Sequence, residues 1–232
     1  MNKGFIILFV LIFPIYLFAQ DKTTIKYFRD VDLKHERTEN KASYKMVSTS
    51  QEKDLTEMLF EIGSDKLIWL KSYRNNLPFG TWYYLNENNS RIDSVVYGKF
   101  KPQGYYSYDL KNQELLENVE GEFTKPKLIG IDENTYSIAK QHKSSDIAVW
   151  IAINVDYPVE AQIDGIQGNV QTQFTIDEEG EVGQVRITKG VNKILDIESY
   201  RLLNSLPKMQ PAKLNGTPIK LYVEAPINFL LQ

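Results

Sequence analysis

The chain has 232 residues, of which 42% are hydrophobic and 25% are charged. This composition is typical of a folded globular protein of one or two domains and excludes a wholly disordered one. The net charge of −3 lacks the basic excess that nucleic-acid binding requires, so we expect no nucleic-acid partner. The absence of cysteine excludes disulfides, thiol catalysis and thiolate metal sites.

The N-terminus has the pattern of an export signal. Met1-Asn2-Lys3 is a short cationic start, and residues 4–19 are apolar with Pro14 among them. A helix of that length reaches about 24 Å, which is less than the roughly 30 Å hydrocarbon core, and proline would interrupt it. Polar residues follow Ala19. We therefore predict a signal peptide, residues 1–19, and a periplasmic protein; a retained inner-membrane anchor is the alternative.

Residues 20–124 predict a β-rich domain. Short aromatic and β-branched runs at 66–73, 80–85, 93–100 and 104–109 are separated by Asn, Gly and Pro clusters. Gly80 and Gly104 each open such a run, which is similar to the Gly-x-Trp-x-Tyr-Tyr hairpins of MORN-type proteins. The aromatic side chains favour packing in a sheet, and a groove for a glycan or a peptide is the alternative.

Residues 125–145 show no sustained periodicity and predict a linker. Beyond it, Ile147, Trp150 and Ile151 have helical spacing, with Ser145 or Asp146 as the N-cap. Residues 159–163 predict one further helical turn.

The last segment predicts a strand-strand-helix-strand unit, which begins with a hairpin. Apolar and polar residues alternate over 169–177, and Asp177 to Gly180 predict a tight turn. In the return strand, the spacing of Val182 and Val185 breaks the alternation, which predicts a bulge at Gly183.

A helix and a final strand complete this unit. Asn192 is the expected cap of a helix that ends before Pro207, and one helix face carries leucines at 195, 202, 203 and 206. Asn215-Gly216 predicts a two-residue turn, and the chain then alternates inward-facing apolar residues from Ile219 to Phe229.

Pro226 lies inside this last strand. Proline has no N–H to donate, so it favours edge strands, and we expect unpaired backbone groups from Lys220 to Glu224. An open edge invites strand addition by a partner or by a second copy of the chain, which would give a homodimer. Alternatively, Lys220 and Glu224 protect an inert edge against aggregation.

An ordered set of motifs resembles the TonB C-terminal domain family from about residue 146 to 232. These motifs are Tyr157-Pro158, Gly168, the turn at Gly180, Leu195-Asp196, Pro207, Pro211 and Pro226. The resemblance implies an α+β protein in which the β-rich domain precedes a small ββαβ domain with an antiparallel sheet and one packed helix.

The resemblance also implies a binding mode. Domains of this family bind the short TonB box of outer-membrane receptors as a strand beside the last strand. By that likeness Lys220, Tyr222 and Glu224 flank the docking edge. Tyr157, Pro158 and Gln162 would contact the receptor plug.

Two functions fit the resemblance. We expect a periplasmic protein that binds an envelope partner, such as a TonB-dependent receptor. The alternative is an inner-membrane-anchored energy transducer of the TonB type. The sequence departs from that alternative, since no histidine precedes His35 and only Pro78, Pro102 and Pro126 lie between residues 22 and 145. A transducer has a membrane histidine and a long Pro-rich linker.

Nothing in the sequence predicts catalysis, a cofactor or a metal site. His35 and His142 lie in polar stretches and are interpreted as solvated surface residues. No catalytic triad, metal-ligand spacing or phosphate loop is present in the sequence. Asp177-Glu178-Glu179 lacks the ligand spacing of a calcium loop and is interpreted as a charged turn.

Overall fold

The computed structural model describes residues 22–85, 92–130 and 133–231. The predicted signal peptide, residues 1–19, and its alternative as an anchor lie outside these ranges. Within them, no helix is both long enough and apolar enough to cross a membrane.

The N-terminal part is an antiparallel meander with one buried face. Its strands are β1 (Lys22–Phe28), β2 (Glu36–Arg37), β3 (Tyr44–Gln51), β4 (Asp54–Glu61), β5 (Lys66–Arg74), β6 (Leu77–Pro78), β7 (Gly80–Leu85) and β8 (Ile92–Tyr97). Leu59 pairs with Trp69 across β4 and β5, and Trp82 pairs with Val95 across β7 and β8. All four side chains are buried, because paired residues of neighbouring strands face the same side of a sheet.

The C-terminal part mixes strands and helices. Its elements are β9 (Tyr106–Asp109), β10 (Glu114–Leu115), β11 (Phe123–Thr124), β12 (Lys127–Leu128), α1 (Glu133–His142), α2 (Asp146–Asn154), α3 (Val159–Ile163), β13 (Gly168–Ile176), β14 (Val182–Lys189), α4 (Lys193–Asn204), β15 (Met209–Gln210), β16 (Lys213–Leu214), β17 (Thr217–Pro218) and β18 (Leu221–Phe229). The predicted α+β class, with a β-rich N-terminal part, is confirmed. The stretch predicted as a linker, residues 125–145, instead contains β12 and α1, because β12 pairs with β15 and α1 packs against α2.

The predicted ββαβ unit consists of β13, β14, α4 and β18. Ser145 caps α2 by accepting a hydrogen bond from the Ala148 N–H at 3.0 Å, and Asn192 caps α4 through the Ile194 N–H at 2.9 Å. The leucines predicted to face the core from the α4 region are all buried, at 195, 202, 203 and 206. Local capping and periodicity therefore account for these elements.

The bulge in β14 lies one residue later than predicted. Gln173 pairs with Arg186 and Thr175 pairs with Gly183, so two residues oppose one. The residue in the left-handed conformation is Gln184, with φ 47°, and not Gly183. Val185 and Ile187 then both face the core, which is the outcome that the bulge was predicted to produce.

The eight strands of the meander join β9, β10, β13, β14 and β18 in one 13-stranded sheet. β8 lies parallel to β14 on one side of the ββαβ unit, and β9 lies parallel to β18 on the other. The three strands β14, β13 and β18 are therefore flanked on both sides by strands from earlier in the chain.

The expectation of an open edge from Lys220 to Glu224 is wrong. The Tyr106 N–H donates to the Lys220 carbonyl at 2.9 Å, and the Leu110 N–H donates to the Glu224 carbonyl at 3.1 Å. β9 thus pairs with β18 over Leu221–Glu224, since a segment more than a hundred residues earlier fills the edge. Backbone groups alternate sides along a strand, so even-numbered residues of β18 face β9 and odd-numbered residues face β13.

Pro226 marks the end of this pairing. It faces the same side as Glu224, and it has no N–H to offer to a neighbouring strand there. The open edge that was inferred from Pro226 therefore exists only in the second half of β18, where no strand within the described ranges lies on the side away from β13.

A buried hydrogen bond joins the meander to α4. The Tyr97 hydroxyl donates to Asp196 Oδ2 at 2.7 Å, and the Val191 N–H donates to Asp196 Oδ1 at 2.9 Å. Both side chains are buried, at 3% and 4% exposure. Burial raises the pKa of the Asp196 carboxyl above its usual value, and burial beside this carboxyl raises the pKa of Tyr97.

We expect Tyr97→Phe to destabilise the protein. It leaves a buried carboxylate oxygen without its hydroxyl donor, which costs about 1–3 kcal/mol in the free energy of unfolding. Chemical denaturation would measure the change. Tyr83→Phe is the matched control, since Tyr83 is 42% exposed on the opposite face of the meander. Equal stability of the two variants would contradict a stabilising role for the Tyr97–Asp196 bond.

We expect Tyr108→Ala to release β9. Tyr108 is 1% exposed and its ring lies 5.8 Å from that of Phe123, so its loss costs about 3–5 kcal/mol locally. Hydrogen exchange should then speed up at the Tyr222 and Glu224 amides, which face β9. The Val223 amide faces β13 and serves as the internal control. Equal acceleration at all three amides would indicate global destabilisation and contradict local release.

Candidate functional site

The candidate site is the side of β18 that faces away from β13, here called the docking edge. Its first half, Leu221–Glu224, carries β9. Its second half, residues 225–229, is called the open half, because no strand within the described ranges pairs with it on that side. By the alternation of the strand, the Pro226 carbonyl and the Asn228 N–H and carbonyl face outward there.

Residues 98–105, here called the strap, connect β8 to β9 across the sheet face opposite α4. The Phe100 N–H donates to the Tyr222 hydroxyl at 3.4 Å, and the Arg186 guanidinium lies 5.1 Å from the centre of the Phe100 ring. The Lys220 ammonium lies 5.8 Å from the centre of the Tyr105 ring. The strap therefore covers the start of β18 on this face.

The first three predicted site residues are engaged within the chain. Lys220 forms an ion pair with Glu178 at 3.4 Å. Tyr222 is 5% exposed beneath the strap, and burial raises the pKa of its hydroxyl. The exposed Glu224 accepts a hydrogen bond from the Gln173 amide at 2.9 Å. The carbonyls of Lys220 and Glu224 and the backbone of Tyr222 are taken up by the β9 segment.

The other three predicted residues lie at the far end of β18. The Tyr157 ring packs edge-on against Phe229 at 5.4 Å, and its hydroxyl donates to the Ile166 carbonyl at 2.8 Å. The Gln162 amide donates to the Tyr157 carbonyl at 2.7 Å, and Pro158 precedes α3. The structure therefore divides the six predicted residues into two groups, one near each end of β18.

Sequence reasoning missed an exposed apolar surface beside the second group. Val159 and Ile163 of α3 are 68% and 79% exposed, and Leu230 after β18 is 70% exposed. The spacing of Val159 and Ile163 places both on one face of α3, and this i,i+4 pattern was the available signal. Exposed apolar side chains next to a strand end are typical of a surface that contacts another protein.

A groove of about 440 Å³ borders the open half. α2 forms one wall through Ala148, Ile151 and Ala152, and Pro226 to Asn228 form the facing wall. Lys111, His142 and Lys143 also line the groove, and no acidic residue lines it within the described chain. The groove thus combines apolar and polar lining residues, and its only charged side chains of fixed sign within the described chain are the two lysines.

The described residues contain no cluster of three or more histidine, aspartate or glutamate side chains placed to hold a metal ion. His35 is on the surface, with its Nδ1 2.8 Å from the Asp30 carboxylate, and His142 is exposed at the groove. The arrangement can bind an extended chain through backbone groups and apolar contacts.

The family match of the chain lies in its C-terminal part. Residues 153–231 match the family model described as Gram-negative bacterial TonB protein C-terminal. No curated protein matches the chain. The match begins inside α2 and leaves the meander, the strap and α1 outside it. The MORN-type resemblance of the N-terminal part stays a prediction.

Two solved structures are similar to the chain, and both are NMR structures of the Helicobacter pylori TonB C-terminal domain. One, of its residues 179–285, is 22% identical, covers 44% of this chain and 86% of its own, and has a TM-score of 0.30. The other, of residues 194–285, is 27% identical, covers 36% and 88%, and has a TM-score of 0.30. The likeness to the TonB C-terminal family therefore rests on the match of the family model to residues 153–231.

Proposed function

We propose that this chain is a non-enzymatic protein of the bacterial envelope that binds a protein partner by strand addition to the docking edge. The partner would be a TonB-dependent outer-membrane receptor or another envelope protein. One observation supports the binding mode above all others. β9 lies on the docking edge in parallel register over Leu221–Glu224, so this edge accepts an added strand.

The free-energy cost of removing β9 determines which half of the docking edge a partner contacts first. Tyr108 and Leu110 are 1% and 4% exposed, and burial of each such side chain stabilises by about 1.5–3 kcal/mol. A partner that displaces β9 therefore pays about 3–6 kcal/mol, or roughly 10²–10⁴ in affinity. The open half carries no such cost, because no strand of the described chain has to leave it.

The six predicted residues then act at different stages. Tyr157, Pro158 and Gln162, together with the exposed α3 surface, contact a partner that approaches the open half. Lys220, Tyr222 and Glu224 contact the partner strand only when β9 has left. A second copy of this chain could occupy the same edge and give a homodimer, which sedimentation of the protein alone would reveal as a dimer.

Binding to the whole protein is the direct test. A TonB-box peptide from a receptor of the same organism should bind the wild-type chain weakly. Tyr108→Ala should raise its affinity about tenfold or more, because displacement of β9 then costs less. Fluorescence anisotropy with labelled peptide measures both values. Tyr83→Ala, on the exposed face of the meander, is the control and should leave the affinity unchanged.

Two outcomes would count against this function. Absence of peptide binding to wild type and to Tyr108→Ala at millimolar concentration would remove the receptor as partner. Binding without any faster or slower hydrogen exchange in β18 would argue against strand addition.

The alternative, an energy transducer anchored in the inner membrane, makes a different prediction for the N-terminus. If residues 1–19 are a cleaved signal, mass spectrometry of the protein isolated from the envelope should find Gln20 as its first residue. An intact Met1 terminus in the inner-membrane fraction would support the anchored alternative. A mature protein that begins at Gln20 would exclude the anchored alternative, because a transducer needs the apolar segment in the membrane.

A further inference from the structure

We propose that the groove between α2 and the open half is a docking site for an extended acidic peptide, and that it works while β9 remains in place. The proposal rests on the proposed function in taking the partner to be an extended protein segment. It goes further by naming the surface and the chemistry of that segment.

The groove is built mostly by residues outside the family match. Leu110 and Lys111 come from the turn after β9, and Lys143 precedes α2. Ala148 and Ile151 of α2 also precede residue 153, where the match begins. The segment between β9 and residue 153 and the C-terminal domain thus make the groove together, and neither supplies all of its walls.

The hydrogen-bonding groups of the groove suit an extended chain. The Pro226 and Asn228 carbonyls can accept and the Asn228 N–H can donate along the outward side of β18. The Leu110 N–H, which donates to the Glu224 carbonyl, is the last contact of β9 on this edge. An added strand could therefore follow directly after β9 without competing for its hydrogen bonds.

The floor of the groove favours apolar side chains. Ile151 and Leu110 are 6% and 4% exposed, and Ala148 and Ala152 leave space above them. In a strand every second side chain points to the same face, so alternate residues of the peptide would enter the groove. Small or β-branched side chains suit such a space.

The charge of the groove lining favours an acidic occupant. Lys111 and Lys143 are both exposed and line the groove, and no acidic side chain lines it within the described chain. Asp109 and Glu224 line a separate, neighbouring cavity that Lys111 and Pro226 also line. The whole chain is acidic, with a net charge of −3, so this is a local basic site on an acidic protein. A carboxylate near the end of the peptide would be attracted there.

The test uses one engineered disulfide to hold β9. The chain has no cysteine, and Asp109 and Glu224 are register partners in β9 and β18. Partners in neighbouring strands have Cα atoms about 5 Å apart, which a disulfide can span. Asp109→Cys with Glu224→Cys therefore gives a locked protein when oxidised and an unlocked one when reduced.

The probe is a labelled six-residue peptide, Glu-Val-Thr-Val-Thr-Glu with blocked ends, and its counterpart has lysine at both ends. We expect the glutamate probe to bind oxidised and reduced protein equally well.

Ala152→Trp should weaken binding of the glutamate probe at least tenfold by filling the groove. Ile153→Trp is the matched control, since Ile153 is 51% exposed on the same helix and does not line the groove. Lys111→Glu with Lys143→Glu should shift the preference to the lysine probe.

The outcomes separate this inference from the proposed function. Loss of glutamate-probe binding on oxidation, or equal binding by Ala152→Trp and Ile153→Trp, would overturn the groove as the site. Absence of binding to both redox forms would overturn it as well. In each of these cases, receptor-peptide binding to the wild-type protein would still support strand addition at the first half of the docking edge. If the receptor peptide does not bind but the glutamate probe binds the groove, the result counts against the receptor as the partner and not against the groove as a site.

Discussion

Backbone hydrogen bonding at the two sides of a three-stranded sheet governs much of this structure. A small sheet of β14, β13 and β18 would present unpaired N–H and carbonyl groups along both outer strands. Such groups attract other strands, so proteins usually cover or interrupt them. Here the chain covers them with its own earlier strands, β8 on one side and β9 on the other. The meander, the strap and the C-terminal domain are joined for that reason.

Side-chain contacts fix both of these pairings. At β8, the buried Tyr97–Asp196 hydrogen bond ties the meander to α4. At β9, Tyr108 enters the core and its ring packs near Phe123. A four-residue ladder alone would be weak, because short strands contribute few hydrogen bonds and each adds only about 0.5–1.5 kcal/mol net. The buried tyrosines make each short pairing part of the common core.

This arrangement changes what the C-terminal domain can offer to a partner. The half of the docking edge that the family resemblance singles out is already filled, and the strap lies over Tyr222. What stays accessible is the open half, the groove beside α2 and the exposed apolar face of α3. Under the proposed function, the segment between β9 and residue 153 thus helps to select the partner. Its groove residues, such as Lys111, add a charge preference that residues 153–231 do not supply.

The sequence alone determined the ββαβ unit, with its helix cap at Asn192, its turn at Asn215-Gly216 and its buried leucines. These features depend on local conformation and on periodicity, which neighbouring residues encode. The edge that Pro226 predicted from Lys220 to Glu224 is paired, and among the described residues only those beyond Glu224 stay open on that side of β18. Only the tertiary structure decided that β9 fills Leu221–Glu224 and that the residues expected at one site lie at two ends of a strand. A strand's alternation encodes which face is buried, but the identity of its neighbour depends on contacts between residues more than a hundred positions apart.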